Sequence, residues 1–139
     1  MTLKNISLSA LSLIVLSKLV NILWTNELQI RLDQEGVPII AVSVHPGSVN
    51  TFADRVPRFR FVIKIIMRLF FKTWDQGSYN SLIAATSPVV REQPEVYKGA
   101  YIEGDYGKVR KPSKDAQDPK SASDLWVVTE KFLKGIGVE

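Results

Sequence analysis

A short polar loop from Pro46 to Thr51 carries the residues best placed to bind a ligand. It follows the segment from Ile39 to Val44, an uncharged run rich in β-branched residues that is typical of a strand buried on both faces of a parallel sheet. Pro46-Gly47 ends the run, because proline lacks a backbone donor and glycine permits a positive φ. Open α/β sheets bind ligands at the carboxyl ends of such strands. The alternative is an ordinary strand followed by a turn.

Other catalytic chemistries have few residues to draw on. The chain has no cysteine and one histidine, His45, which excludes a disulfide framework and a thiolate zinc site and disfavours any structural transition-metal site. No G-x-S-x-G elbow is present, so a hydrolase triad lacks a convincing set of partners. We therefore expect no metal site, and we expect His45 to cap the sheet edge beside the loop.

The positive charge of the chain is concentrated in one segment. The 139 residues are 45% hydrophobic, which suits a single domain with a modest core, and the net charge is +4. Between Arg55 and Thr73 the chain has six basic residues and no acidic one: Arg55, Arg58, Arg60, Lys64, Arg68 and Lys72. Their spacing predicts a basic amphipathic helix over 57–72. Such a helix lies on an anionic membrane or in a partner's groove, or else covers a hydrophobic pocket with its charges in solvent.

Apolar spacing and turn residues place the remaining elements. Apolar residues at intervals of three and four predict a helix from Leu16 to Leu32, stopped by Gly36. We interpret the preceding residues as a helical lead-in rather than a signal peptide, since no cleavage site follows and Lys18 interrupts the apolar run. Because this helix has apolar residues on two sides, it is compatible with a homodimer formed by helix pairing.

The second half of the chain predicts two helices and one strand. Thr73 and Gln76 have the spacing of a capping box, which opens a helix that Pro88 ends. Lys98 to Ile102 is expected to be a short strand and Glu103 to Asp118 a loop. Asp118-Pro119 then begins a last helix, which we expect Gly135 to end.

Five pieces of the chain resemble, in order and at about the right distances, the C-terminal half of a short-chain dehydrogenase/reductase. The resemblance is closest to the retinol-dehydrogenase-like and protochlorophyllide-reductase-like members. The pieces are Ser17 to Leu23, His45 to Thr51, Asp75 to Ser78, Ala84 to Pro88 and Lys98 to Ile102. The resemblance implies an α/β fold, a partial Rossmann-type doubly wound parallel sheet of which the last two strands and their flanking helices are present. Residues 16–139 would form the C-terminal half of an NAD(P)-binding domain, with 57–72 as its substrate-lid helix and 1–15 as an unassigned lead-in without family resemblance.

The resemblance also implies the roles of individual residues. Lys18 would be catalytic and cofactor-binding, because the matching lysine binds the nicotinamide ribose and lowers the pKa of a tyrosine one helical turn earlier. Pro46, Gly47, Val49 and Thr51 would contact the nicotinamide, with the Val49 backbone at the carboxamide and Thr51 bonded to the carboxamide or a phosphate. The implied cofactor is NADP or NAD, and the implied substrate is a small lipophilic alcohol, ketone or aldehyde.

The chain departs from the family pattern at the catalytic tyrosine, the Gly-rich turn and the segment of the catalytic serine. Ile14 stands where the family has its catalytic tyrosine, and the Gly-rich pyrophosphate turn and the segment of the catalytic serine have no counterpart. We expect a truncated product, for example from a gene-model error, that is inactive in this form. The alternative function is a membrane-surface or lipid-droplet interaction protein that uses helix 57–72. We expect a cytoplasmic protein, with association at the endoplasmic reticulum or lipid-droplet surface as the variant, and no nucleic-acid partner, because the basic residues alternate with aliphatic ones.

Overall fold

The computed structural model describes residues 10–49, 71–104 and 106–138. The elements in chain order are helix α1 (Ala10–Gln34), strand β1 (Ser43–Val44), helices α2 (Trp74–Thr86), α3 (Pro88–Glu92) and α4 (Pro94–Tyr97), strands β2 (Tyr101–Ile102) and β3 (Val109–Arg110), a 3₁₀ turn (Asp115–Gln117) and helix α5 (Pro119–Gly135). They divide into two compact units. The first unit combines α1 and the chain up to Ala41 with the chain from Pro112 onward, and the second lies between Val42 and Lys111.

In the first unit, α1 packs against α5 through aromatic and polar contacts. The indole rings of Trp24 and Trp126 stack with their centroids 4.2 Å apart, and the guanidinium of Arg31 lies 4.5 Å from the Trp126 ring centre. The Asn26 amide donates a hydrogen bond of 3.0 Å to the carbonyl of Ala116, in the 3₁₀ turn. Stacked aromatic pairs contribute roughly 0.5–1.5 kcal/mol beyond the area they bury, so this cluster is a main stabilising contact of the unit. The predicted helix from Leu16 to Leu32 is confirmed, and it begins earlier, at Ala10.

The segment that leads into β1 is held by a side chain of α1. The Gln29 amide, only 4% exposed, donates to the Ile39 carbonyl at 3.2 Å and accepts from the Ala41 N–H at 2.8 Å. These backbone groups therefore bond to a helix side chain. The prediction of a buried strand from Ile39 to Val44 was wrong for its first four residues, since only Ser43–Val44 is strand and Ile39 is 54% exposed.

The second unit contains a three-stranded sheet in the order β1-β2-β3. β1 runs parallel to β2, with Ser43 opposite Tyr101 and Val44 opposite Ile102, as the sequence predicted. β3 runs antiparallel to β2, which corrects the prediction of a continuous loop after Ile102. Ile102 is fully buried in the middle strand. The parallel pair with its helical crossover gives a mixed α/β structure consistent with a partial Rossmann-like fold, in agreement with the predicted fold class.

Most predicted helix boundaries are confirmed. Thr73 and Gln76 form a reciprocal capping box at the start of α2, with bonds of 3.1 and 3.3 Å. The Asp118 carboxylate accepts from the backbone of the first turn of α5. Gly135 is the last residue of α5, and the positive φ just beyond the helix belongs to Gly137 at +79°. The short helices α3 and α4 were not predicted.

The predicted substrate-lid helix over 57–72 lies outside the described residues for 57–70. Its last two residues are not helical, because Phe71 lies in a bend and Lys72 forms a β-bridge with Val49. Among the helices of the described ranges, none combines the length and the apolar character that crossing a membrane would need.

Candidate functional site

The turn that follows β1 is shaped by His45. Its backbone N–H donates to the Ile102 carbonyl at 2.8 Å, which places it at the sheet edge as predicted. Its ring Nδ1 accepts a hydrogen bond of 2.9 Å from the Gly47 N–H, across Pro46. Gly47 has φ +82°, a conformation that favours glycine, so the sequence Pro-Gly is suited to this bend. The imidazole thus takes the place of a backbone acceptor for the Gly47 N–H.

The far side of the turn is held by Lys72. The Lys72 N–H donates to the Ser48 carbonyl at 2.8 Å, beside the parallel bridge between Val49 and Lys72. The Lys72 side chain crosses the turn so closely that a Cβ on Gly47 would lie 3.2 Å from its Cδ. Its Nζ then donates to the Gly104 carbonyl at 3.1 Å. Lys72 thus ties the turn to the loop that follows β2.

Asn80 joins the same two segments from α2. Its Nδ2 donates to the carbonyls of His45 at 3.1 Å and Gly104 at 2.9 Å. Its Oδ1 accepts from the Gly107 N–H at 2.9 Å. The side chain is 2% exposed, so these bonds lie in a protected environment where they are stronger than at the surface.

Two glycines allow α2 and its neighbours to approach closely. A Cβ on Gly77 would lie 2.5 Å from Cγ2 of Val49, at the end of the turn. A Cβ on Gly107, where φ is +76°, would lie 2.7 Å from Cγ2 of Ile83. Both distances are shorter than a real contact allows, so glycine is required for this packing.

A cleft of about 420 Å³ lies beside the turn, at the carboxyl ends of β1 and β2. It is lined by His45, Gly47, Ser48, Lys72, Glu103, Gly104 and Arg110. Its volume falls in the range of small-molecule sites, roughly 300–1,000 Å³. Among the described residues, this lining includes two cationic side chains, Lys72 and Arg110, and one carboxylate, Glu103. Burial, assisted by the Glu103 carboxylate, raises the pKa of Tyr101, so this phenol stays protonated and is a poor base.

The structure brings together three of the predicted site residues. Pro46, Gly47 and Val49 share the turn after β1, whereas Thr51 lies outside the described residues. Lys18 is exposed on α1, four residues after Ile14, which is 57% exposed. Since α1 belongs to the other unit, the closeness of Lys18 to the turn stays a prediction. Within the described ranges, no three carboxylate or histidine side chains come close enough to hold a metal ion.

Sequence reasoning missed Asn80 and the role of Gly77. A single asparagine inside a helix gives no signal of its partners, and Gly77 was part of a matching family segment without an assigned contact. Lys72 was assigned to a lid helix, because its basic spacing continued that of the preceding residues. A parallel strand pair with a ligand-sized cleft at its carboxyl edge is consistent with part of a Rossmann-like α/β fold.

The chain is similar to several known proteins over most of its length. No family model matches the chain. It is 43% identical over 124 residues to a short chain dehydrogenase/reductase, dpmpH, of Macrophomina phaseolina, covering 88% of the chain and 59% of that protein. It is 37% identical over 123 residues to dpfgH of Gibberella zeae, covering 87% of the chain and 34% of that protein. It is 36% identical over 118 residues to retinol dehydrogenase 14 of Homo sapiens, covering 82% of the chain and 33% of that protein. These relatives include short-chain dehydrogenase/reductases and a retinol dehydrogenase. The chain spans between about a third and three fifths of their lengths, which is consistent with part of a short-chain dehydrogenase/reductase.

Proposed function

We propose that the chain forms the nicotinamide-facing part of an NAD(P)-dependent oxidoreductase. The observation that carries this proposal is the parallel β1–β2 pair, which puts the His45–Val49 turn and the Glu103–Gly104 loop at one edge around the cleft. In an open α/β sheet this edge is where a dinucleotide is held. Kinship with short-chain dehydrogenase/reductases supports the same assignment.

The chemistry of the cleft fits a nicotinamide nucleotide. The exposed turn offers backbone groups to a carboxamide at Val49, and Lys72 and Arg110 can face a phosphate. A bound nicotinamide supplies or accepts a hydride. The turn would hold the ring, and Thr51 would be a hydroxyl partner. The role that we propose for Lys18 is to bind the ribose hydroxyls.

The substrate we propose is a small lipophilic alcohol, ketone or aldehyde. Two relatives carry the name retinol dehydrogenase, which describes an alcohol of this class for those proteins. The apolar residues over 57–70 would line its binding site. In this form the chain should not turn over, since Ile14 has no proton to exchange with the substrate oxygen, where the family uses a tyrosine.

A binding experiment with half of the cofactor tests the proposal. We expect nicotinamide mononucleotide to shift the backbone amide signals of Gly47 and Val49 in ¹⁵N spectra, with a millimolar dissociation constant, about 4 kcal/mol of binding free energy. Adenosine monophosphate, which shares the phosphate but lacks the carboxamide, should shift these signals less. Thr51→Val should weaken binding, while Thr86→Val, on the exposed end of α2, should not. We call the His45–Val49 turn the nicotinamide turn. Equal shifts with both nucleotides, or no shift with either, would rule out binding of a nicotinamide at this turn.

The alternative proposal is a protein of the membrane or lipid-droplet surface. It is supported by the six basic residues between 55 and 73, which would attract anionic lipid headgroups. The two proposals are compatible, because a dehydrogenase can lie on a membrane. A homodimer formed through α1 likewise stays a prediction, which sedimentation velocity decides.

A further inference from the structure

We propose that Asn80 is the positioning residue of the nicotinamide turn, an inference that rests on the proposed function. Its two amide hydrogens go to two carbonyls on different segments, His45 before the turn and Gly104 after β2. Its oxygen takes the Gly107 N–H. With the side chain 2% exposed, no solvent molecule can readily replace these partners.

The turn depends on side-chain partners because its own backbone offers few. Pro46 has no N–H, and the Gly47 N–H is taken by the imidazole of His45. The Ser48 carbonyl pairs with Lys72, at the far end. Without Asn80, the His45 carbonyl would lose the hydrogen bond of 3.1 Å that it accepts where the chain leaves the sheet. The Asn80 amide therefore fixes the start of the turn, beside the bonds of His45 and Lys72 that hold the rest of it.

Gly77 supports the same turn one helical step earlier. Residues three apart share a face of a helix, so Gly77 and Asn80 both face the turn from α2. Gly77 contacts Val49 at the end of the turn, while Asn80 bonds to His45 at its start. Thus α2 fixes both ends of the segment whose backbone would meet the carboxamide.

The chemistry requires an amide at position 80. Aspartate has the same size but no hydrogens to donate when ionised, and it would set a negative charge against two carbonyl oxygens. Alanine removes the partner but adds no repulsion. If Asn80 acts through its hydrogen bonds, N80D should loosen the turn more than N80A does. If Asn80 only fills space, N80D should loosen the turn less than N80A does.

Gln29 provides a matched control in the other unit. Its amide is similarly buried, at 4% exposed, and also makes three hydrogen bonds, to Asp33, Ile39 and Ala41. Gln29→Ala therefore removes the same kind of group and should cost comparable stability. Its partners lie before β1, so the turn after β1 should keep its conformation.

The experiment compares N80A, N80D, N80S and Q29A by urea unfolding, amide hydrogen exchange and titration with nicotinamide mononucleotide. The reporter of the turn is the Lys72 N–H, which bonds to the Ser48 carbonyl. We expect N80A to exchange this hydrogen at least about tenfold faster than Q29A at equal global stability, and to weaken nucleotide binding about tenfold. N80S, whose hydroxyl supplies one donor, should fall between wild type and N80A.

Three outcomes would overturn the inference. Q29A could loosen the turn and weaken binding as much as N80A does, which would make the effect one of stability alone. N80D could behave better than N80A, which would show that side-chain volume matters rather than donors. Should N80D fail to fold, an unchanged Lys72 exchange rate in N80S and N80A would equally refute it. If wild type binds no nucleotide, the proposed function fails, but the exchange rates still decide what Asn80 does.

Discussion

Gly77→Ala tests the close approach of α2 to the nicotinamide turn. The added Cβ would lie 2.5 Å from Cγ2 of Val49, so one of the two must move. Val49 cannot easily yield, because its β-branched side chain has few rotamers and its backbone is bridged to Lys72. We expect the strain of overpacking, ~1–3 kcal/mol, to exceed the gain in helix propensity of up to ~1 kcal/mol.

Gly135→Ala is the control for this substitution. Gly135 is also helical, at the end of α5, and nothing lies within 4 Å of the position its Cβ would take. Alanine should therefore stabilise the chain there by up to ~1 kcal/mol. The two variants receive the same chemical change in helices, so the difference between them isolates the contact with Val49.

The assay is urea unfolding of the two variants and the wild type, together with the methyl signals of Val49. We expect Gly77→Ala to lower the free energy of unfolding by about 1 kcal/mol and to move the Val49 signals. The reasoning is refuted if Gly77→Ala stabilises the chain as Gly135→Ala does, since Val49 would then not lie against α2.

Three further predictions concern the caps and the basic segment. Thr73→Ala should lower the free energy of unfolding by ~1 kcal/mol through loss of the capping box, whereas Thr73→Ser should retain it. Hydrogen bonds from the Ser121 hydroxyl and backbone lower the pKa of Asp118, so its contribution to stability is full above the unfolded carboxyl's pKa of ~4 and is lost as pH falls through the lower folded value. Asp118→Asn should keep the cap but remove this part of the pH dependence in urea unfolding; an unaltered acid slope would contradict it. We expect binding to anionic vesicles to weaken as the salt concentration rises. Reversing the charges of Arg60, Lys64 and Arg68 should abolish this binding, and neutral vesicles serve as the control.

The sequence predicted helices α1, α2 and α5, because their signals are local, whereas the short helices α3 and α4 were missed. The capping box at Thr73 and the cap at Asp118 depend on neighbouring residues alone. The extent of β1 was not predictable in the same way. Its apolar residues suit a strand, but the bonds of Ile39 and Ala41 go to Gln29, ten or more residues away.

The missed strand β3 and the missed partners of the turn have the same cause. β3 is two residues long, with an exposed arginine, so it lacks an apolar pattern and forms only because β2 offers an edge. Asn80 and Gly104 are 24 residues apart, and their hydrogen bond depends on the completed sheet. The apolar run followed by Pro46-Gly47 located the turn itself, whereas the side chains that support it come from distant parts of the sequence.

Two of the three tryptophans of the chain belong to the first unit and one to the second, so indole signals can distinguish the units. Trp24 and Trp126 stack within the first unit, with their rings inclined by 15°, whereas Trp74 is 70% exposed at the start of α2 in the second. Replacing Trp74 by phenylalanine would leave a single coupled indole pair, whose near-ultraviolet circular dichroism, read at the long wavelengths where tyrosine does not absorb, reports on the pairing of α1 with α5. This circular dichroism signal reports the unfolding of the first unit, and hydrogen exchange of the turn amides reports that of the second. Comparing the two would show whether the units unfold together or one after the other.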